Sequence, residues 1–554
     1  LAYLLVIASL VCTACAEDDA SKPTAKTFGW HFEDQAFEVG LQEETYRSKG
    51  SAAADFDGDG HVDLYVVNPY EGSILYLNNG DGTFRQQPTA PNVGLDSGAA
   101  VADYDNDGDP DLYVPCGSRT EACKDGLFRN DGPDPESGWV TFADVSESAG
   151  FGIINQANLG GAWADYDLDG DLDLFTASVK PVKSPETSQR DLLYRNNGDG
   201  TFTEVGEEAG LTQEGVSRNG VWFDANNDGY PDLYIPGFYA PNRLYINQGD
   251  GSFKNIQNQE VIDRPFRGAA AVAEDFNNDG ALDLFVLGYT DYTVTFAGHE
   301  EDEAPRDYPF TLFLNDGAGD FVLTQSGDLD QLAADYKERR YNPNTLVSAD
   351  FDKDGSLDIF VSDEHDENFL FSIIRDHDTG LLAWLDRSLV IQKRSWLEDT
   401  RVPDMPRYPY YSHTTTAFDF DADHDLDLFI GNGGMLYEPQ AAQPNRLFRN
   451  DFALEDQTPN WLELTLIGAA SNRDGVGARV RISDSVGQDT SWVIHRHVYR
   501  NHGSNASRPA TLLVGLGNNQ GPYVVQVQWP SGTEDTREDL EGNQVYTLEE
   551  PEQP

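Results

Sequence analysis

Basic residues are scarce in this sequence: 37 Lys and Arg stand against 96 Asp and Glu in 554 residues, a formal charge of −59. That shortage excludes nucleic acid as a partner, because phosphate is held by a basic face. The same charge is repelled by an anionic membrane surface. Cysteine is nearly absent, with four residues. Long apolar runs are missing beyond one short stretch at the N-terminal end. No nucleophile elbow, zincin helix, P-loop or dinucleotide fingerprint occurs, so no catalytic motif marks an enzyme. What is present suffices for folding: 39% hydrophobic and 11% aromatic residues argue against a disordered acidic chain. The chain is too long for one ordinary core unless repeats extend that core. So much negative charge opposes compaction unless cations neutralise it.

The apolar stretch Leu1–Val11, followed by small residues up to Cys15, is too short to span a bilayer and fits the core of an export signal. The segment C-T-A-C ending at Cys15 resembles a bacterial lipoprotein signal, although Cys12 stands where such signals usually place Leu. The resemblance implies a lipid on Cys15 and a bacterial surface or outer-membrane location; ordinary cleavage nearby would give a secreted protein. Residues 1–15 are then the signal and 16–30 a linker. Cys116 and Cys123 form an even pair in an oxidising compartment, expected as a disulfide closing a short surface loop.

Internal repetition organises the rest. The pattern D-x-[DN]-x-D-x-x-x-D followed by an apolar run occurs seven times, beginning at Asp55, Asp103, Asp165, Asp224, Asp275, Asp350 and Asp419. A small-residue strand precedes each loop, as in GAAVADY before Asp105. After the loop come an apolar strand and then a third signal such as LYLNNGDGTF, Leu75 to Phe84. Its N-G-D-G core is a strong hairpin turn, because Asn, Asp and Gly tolerate positive φ. A fourth strand opens with the Phe. Four short antiparallel strands per repeat predict an all-β, seven-bladed β-propeller over residues 31–455. The seventh repeat lacks its fourth strand, and an orphan of that type, Phe32 to Leu41, lies at the front of the chain. That strand is expected to complete the last blade and close the ring.

Acidic or amide side chains at alternate positions, then a turn, then a further Asp, aim several oxygens at one centre. Hard cations such as Ca²⁺ take six to eight oxygens at about 2.3–2.6 Å, whereas Mg²⁺ demands near-octahedral geometry and keeps its waters. An EF-hand needs Glu at the twelfth place and flanking helices; the first motif has Val66 there and strands on both sides. Gly at the sixth place permits the sharp turn in six copies, while the seventh has His424. The fourth and fifth copies carry Asn226 and Asn277 at the third place and are expected to be weaker sites.

These loops and their preceding strands resemble the FG-GAP (VCBS-type) repeats of integrin α-like propellers and their bacterial relatives, over about Phe32 to Asp451. In that family the first, third, fifth and ninth residues are calcium ligands. Carried over, the resemblance implies Asp55, Asp57, Asp59 and Asp63 in the first loop, and Asp103, Asp105, Asp107 and Asp111 in the second. The third would use Asp165, Asp167, Asp169 and Asp173, and the fourth Asp224, Asn226, Asp228 and Asp232. Asp275, Asn277, Asp279 and Asp283 would serve the fifth; Asp350, Asp352, Asp354 and Asp358 the sixth; Asp419, Asp421, Asp423 and Asp427 the seventh. With a Kd near 0.1 mM, millimolar calcium adds roughly 1.4 kcal/mol per site, so up to seven ions are expected to be structural.

From Asn460 the pattern changes to alternating strands around Gly-rich turns, and residues 456–554 are expected to form a small β-sandwich-like domain. Its blocks N-W-L-E-L, S-N-R-D-G-V-G-A-R-V, V-G-L-G and W-P-S-G resemble the ASPIC/UnbV domain, which follows FG-GAP repeats in the cartilage acidic protein-like family. This chain departs from that pattern in HRHVYRNHGSNASRP, with His495, His497, His502, Arg496 and Arg500. The segment is the most basic in the chain, suited to an acidic ligand, a transition metal or docking onto an acidic propeller face.

Two insertions remain, Gly288 to Pro309 and Pro403 to His413. In the second, Tyr408, Tyr410, Tyr411 and His413 suit stacking on sugar rings or proton abstraction in a polysaccharide lyase, or they simply pack the insertion. The chain is therefore expected to be an exported, monomeric, calcium-binding adhesion or scaffold module with a protein or glycan ligand. A glycan-binding surface protein and a carbohydrate-active enzyme are the alternatives.

Overall fold

A computed structural model describes residues 32–41, 47–117, 124–151, 157–179, 190–213, 215–238, 241–256, 261, 268–288, 310–324, 343–363, 368–375, 382–386, 412–433, 443–452, 459–486, 490, 492–502 and 506–552. Every named element among them is a β-strand. Among the described residues the repeats fold as antiparallel sheets: six are built on four consecutive strands, one of them extended by two more, and a seventh combines three consecutive strands with one from the N-terminal end. Their first strands are Gly50–Ala54, Ala100–Ala102, Ala157–Ala164, Val221–Phe223, Gly268–Glu274, Pro343–Ala349 and Ser412–Phe418. Each contacts the next in that order, and Ser412–Phe418 returns to Gly50–Ala54, which makes the arrangement a propeller. The last sheet is completed by Phe32–Asp34, whose Phe32 pairs with Asn450. The N-terminal strand thus completes the last blade, where its residues pair with those of Arg446–Asn450.

The small-residue composition of the first strands follows from crowding at the axis. Large side chains fill the wedge between blades instead, as where Tyr113, Phe151, Trp163, Tyr194 and Phe202 pack in one cluster. A Cβ on Gly161 would lie 2.7 Å from the Tyr113 ring, and one on Gly220 would lie 2.5 Å from Phe175. Each large apolar side chain buried here contributes about 1.5–3 kcal/mol.

The fourth strands are shorter than their sequence suggests. Phe202–Glu204 spans three residues, and the following V-G-E-E-A-G-L forms a turn in which Ala209 N donates to Val205 O at 2.7 Å. That turn reaches the next blade: Phe253 N donates to Ala209 O, and Phe202 N to Ala149 O, both at 2.8 Å. The approach demands glycine. Gly210 has φ 94°, and a Cβ there would stand 2.9 Å from Phe253 O.

The C-terminal region builds two sheets. One has three strands, Leu512–Gly517, Asn460–Ile467 and Gln544–Glu549; the other has four, Val493–His497, Arg479–Ser483, Tyr523–Gln528 and Glu534–Leu540. Leu462, Leu464, Val480, Ile482, Val514, Val525 and Trp529 form the shared core between them. One segment leaves this unit. Asn501–His502 and Ala506–Ser507 join the first blade, Ala506 pairing parallel with Ser51, so a C-terminal hairpin extends a propeller sheet at its axial edge. Arg508 lies beside it, its Nε donating to Tyr499 O at 2.8 Å and its Nη1 standing 3.9 Å from Glu274 of the fifth blade.

Candidate metal sites and the domain docked on them

All seven acidic loops share one backbone template. The fourth residue takes positive φ in every copy (Gly58, Asn106, Leu168, Asn227, Asn278, Lys353, Ala422), and so does the sixth, including His424 at 62°. This geometry turns backbone N–H groups inward onto the first carboxylate. Asp59 N and Gly60 N donate to Asp55 at 3.0 and 2.8 Å, and His424 N still donates to Asp419 at 2.8 Å. The bulky sixth residue in the last loop therefore does not open the turn.

In five loops the first, third and ninth carboxylates converge. Asp55, Asp57 and Asp63 each offer an oxygen within 4.8 Å of the others, as do Asp103, Asp105 and Asp111. The same holds for Asp165, Asp167 and Asp173, for Asp350, Asp352 and Asp358, and for Asp419, Asp421 and Asp427. The fifth residues stand outside these clusters. Asp59, Asp107, Asp169, Asp354 and Asp423 instead accept the backbone N–H two residues on, at 2.7–3.0 Å.

The ninth Asp has a structural task that its spacing did not disclose. Asp63 accepts Phe56 N at 2.8 Å on one oxygen and Asn78 N at 2.7 Å on the other. Asp173 does the same with Tyr166 N and Asn196 N, and Asp232 with Ala225 N and Asn247 N. The Asn closing the third strand carries the contact onward. Asn196 Nδ2 donates to Tyr104 O of the preceding blade at 2.8 Å, and Asn78 Nδ2 to Phe420 O at 2.8 Å, across the ring closure. The recurrent L-Y-x-N at the third strand was the available signal for this bridge between blades.

The donor set of the five all-Asp loops fits a hard cation. Each holds one buried carboxylate oxygen without a hydrogen-bond partner: Asp57 Oδ1, Asp105 Oδ1, Asp167 Oδ1, Asp350 Oδ1 and Asp421 Oδ1. Burial pushes Asp103, Asp165 and Asp419 up to about 7 and Asp63 up to about 8. Neighbouring carboxylates add to this at Asp103, where Asp474 is next in weight, and at Asp165, where Asp169 is. A cation relieves both the orphaned oxygens and the like-charge crowding. No such orphan is found in the fourth and fifth loops. There Asn226 Nδ2 donates to Asp228, and Asn277 Nδ2 to Asp279, both at 2.8 Å. Asp224, Asp275 and Asp283 keep the first and ninth places in these two loops.

The C-terminal domain sits on the loop face. Arg473 N donates to Asn106 Oδ1 at 2.9 Å, and Asp474 accepts Asp103 N at 3.1 Å while pairing with Arg500 at 2.5 Å. Arg479 reaches the fourth loop, bonding Asp224 and, at 2.8 Å, Asn227. His495 N donates to Asn278 Oδ1 in the fifth, and Arg496 Nη2 to Gly355 O in the sixth. His424 of the seventh stacks on Trp461 with ring centres 3.9 Å apart and bonds Glu463 at 2.8 Å. In V-G-L-G, a Cβ on Gly515 would lie 2.3 Å from Asp350 Oδ2 and from Lys353 Cα, so only glycine permits this approach. The basic segment thus docks on the acidic face. His495 is held down to about 4, chiefly by burial. Between the two units a cavity of about 650 Å³ is lined by Asp55, Asp103, Asp350 and Asp419 on one side and by Arg496, Arg500 and Arg508 on the other.

Of the remaining candidate residues, Cys116 is disulfide-bonded, and Cys123, Cys15, Tyr408, Tyr410 and Tyr411 lie outside the described residues. His413 is buried at the opposite end of the seventh blade's first strand. Lys49 Nζ stands 3.0 Å from its Nε2, and Asn344 Nδ2 2.9 Å from its Nδ1.

Residues 55–114, 165–235 and 224–286 match the family described as FG-GAP-like repeat, and residues 468–554 match ASPIC and UnbV. The chain thus carries FG-GAP-like repeats in its propeller and an ASPIC and UnbV domain after them. Among curated relatives it is 24% identical to mouse cartilage acidic protein 1 over 346 residues, covering 59% of this chain and 44% of that protein. It is 23% identical to the human protein over 369 residues, covering 62% and 51%. The chain spans about half the length of the curated relatives it matches. Among solved structures, BBS1N in complex with ARL6DN aligns with a TM-score of 0.40 and 9% identity, over 78% of this chain and 99% of that one.

Proposed function

We propose that this chain is an exported, calcium-loaded propeller that acts as an adhesion or protein-interaction scaffold, with its ions serving structure. The observation that carries the reading is the orphaned, buried carboxylate oxygen in each all-Asp loop. A buried carboxylate oxygen left without a partner costs about 1–3 kcal/mol, and a bound divalent cation would remove that cost. When bound, calcium supplies charge compensation and cross-links the loop to its flanking strands. The ligand oxygens are those of the first and third residues, with the ninth shared between the ion and two backbone donors. Export is supported by the apolar Leu1–Val11 and the small residues up to Cys15.

The loop face is covered by the chain's own C-terminal domain, so the partner is expected on the outer blade edges or the opposite face, where Lys49 and His413 meet. Thermal unfolding in EDTA and in millimolar calcium, with ions counted by native mass spectrometry, tests the metal reading. A Tm rise on the order of ten degrees with at least five ions is expected. No shift and no bound ion would sink it. A glycan array probed with the full chain separates a glycan ligand from a protein one.

A further inference from the structure

The fourth loop differs from the others in what stands in front of it. Three arginines of the C-terminal domain approach first-position carboxylates. Arg473 Nε is 3.7 Å from Asp103 Oδ2 and Arg496 Nη2 is 3.8 Å from Asp350 Oδ2, both beyond hydrogen-bond distance. Arg479 is in direct contact: its Nη2 bonds Asp224 Oδ2, and its Nη1 bonds Asn227 Oδ1 at 2.8 Å. Asp224 Oδ2 also accepts Gly229 N at 2.6 Å, and its Oδ1 accepts Asp228 N at 3.1 Å. Within the same loop the third-place amide of Asn226 already satisfies Asp228. The oxygens that would receive an ion are thus engaged by fixed donors, one of them a guanidinium.

Arg479 is also held in place. It begins a strand hydrogen-bonded on both sides, to Val493–His497 and to Tyr523–Gln528. Its neighbours Val480 and Ile482 are buried in the domain core, which leaves Arg479 on the face turned to the propeller. A strand at the centre of a sheet presents its side chains with little freedom, so the guanidinium needs little further ordering to dock.

We propose that Arg479 is the resident cation of the fourth loop: the guanidinium takes the place of a metal ion there, and the loop works as a metal-independent latch for the C-terminal domain. The inference rests on the reading that the all-Asp loops hold ions. A calcium ion on Asp224 would have to sit beside the guanidinium on the same carboxylate, where like charges a few ångströms apart repel. Removing the third-place carboxylate, as Asn226 does, weakens the loop for a divalent ion while leaving it adequate for a single positive charge.

Native mass spectrometry of the full chain in millimolar calcium tests this through three variants compared with wild type. Asp165→Asn, in the all-Asp third loop, is expected to lower the bound-ion count of wild type by one. Asp224→Asn is expected to leave the count unchanged; a loss of one ion there overturns the proposal. Asn226→Ala, at the more exposed third place, repeats that arm where Asp224→Asn does not fold. An ion-free wild type defeats the calcium reading instead, and the latch is then decided by amide exchange in EDTA. Exchange at Asp228 and Gly229 is expected to be at least tenfold faster in Arg479→Gln than in wild type. Equal exchange overturns the latch.

Discussion

The third and fourth loops are built on the same backbone yet balance their charge differently. Both place positive φ at the fourth and sixth residues, both fold two N–H groups onto the first carboxylate, and both tie the ninth Asp to backbone donors. In the third, Asp167 keeps a buried oxygen unpaired and the neighbouring contact is Ala470 O, which stands 3.1 Å from where a Gly170 Cβ would be. In the fourth, an amide replaces that carboxylate and Arg479 bonds what remains. The comparison teaches that the repeat encodes a shape first. Among the seven loops, buried carboxylate oxygens are left unpaired only where the third place is Asp; where Asn stands there, as in the fourth loop, none is.

Removing calcium should separate the two kinds of loop most strongly. If five loops each contribute roughly 1.4 kcal/mol at millimolar calcium, EDTA costs about 7 kcal/mol in all. Amide exchange should then rise at the Asp165 loop far more than at the Asp224 loop; equal loosening of both would break the comparison.

A smaller effect is expected from the ninth position. Asp173→Ala strips two buried backbone donors of their acceptor and also removes a cluster oxygen, for a loss of roughly 3–5 kcal/mol in chemical denaturation. Asp232→Ala strips the equivalent donors in the loop proposed to hold Arg479 instead of an ion, so its loss should be smaller, and the gap between the two should vanish in EDTA.

Acidity sharpens the contrast further. The folded state raises Asp103 and Asp165 to about 7 and Asp63 to about 8, from an ordinary value of 3.8. A raised folded value means that the folded chain holds protons the unfolded chain has released. What these groups contribute to the stability of the calcium-free protein is therefore full below about pH 4 and is lost as pH rises through about 8. With calcium bound the trend reverses, because the ion displaces those protons and binds more tightly as pH rises. Melting curves from pH 5 to 8 with and without EDTA should cross over; parallel curves would contradict the assignment of ions to these carboxylates.

The smallest change is expected at His424→Gly. Glycine relieves a positive φ worth about 1 kcal/mol but forfeits the stack on Trp461 and the bond to Glu463. The two nearly offset, so Tm should stay within a few degrees of wild type. A drop of ten degrees would mean that the His424 contacts hold the C-terminal domain more firmly than the arginines do.

Much of the fold was legible because its signals are local. Asp55 to Asp63 makes a loop by itself, N-G-D-G makes its own turn, and the repeat count and the orphan Phe32 strand followed from spacing. The fourth strands were read too long, since V-G-E-E-A-G-L alternates well enough to pass for a strand. The bonds from Ala209 N to Val205 O and from Leu211 N to Gly206 O make it a turn, and the bond from Phe253 N ties it to the next blade. The acidic positions were legible as a pattern, but their division was not: the first, third and ninth cluster, the fifth Asp closes its own turn, and the ninth also serves the backbone.

By itself the sequence determined the repeated acidic loops, the four-stranded unit and the change of pattern at Asn460, because each depends on residues close together in the chain. The closing N-terminal strand was legible only as the member missing from the last repeat, since its partner Asn450 lies at the far end of the propeller. Tertiary structure alone decided that the Arg-bearing domain lies on the acidic face, that Gly515 meets Asp350 and that Arg479 meets Asp224. Those last two residues are 255 positions apart. No periodicity or turn chemistry links residues so distant. Their meeting is set by how two packed cores place their rigid strands against each other, and by the attraction between a guanidinium and a carboxylate once both are removed from water.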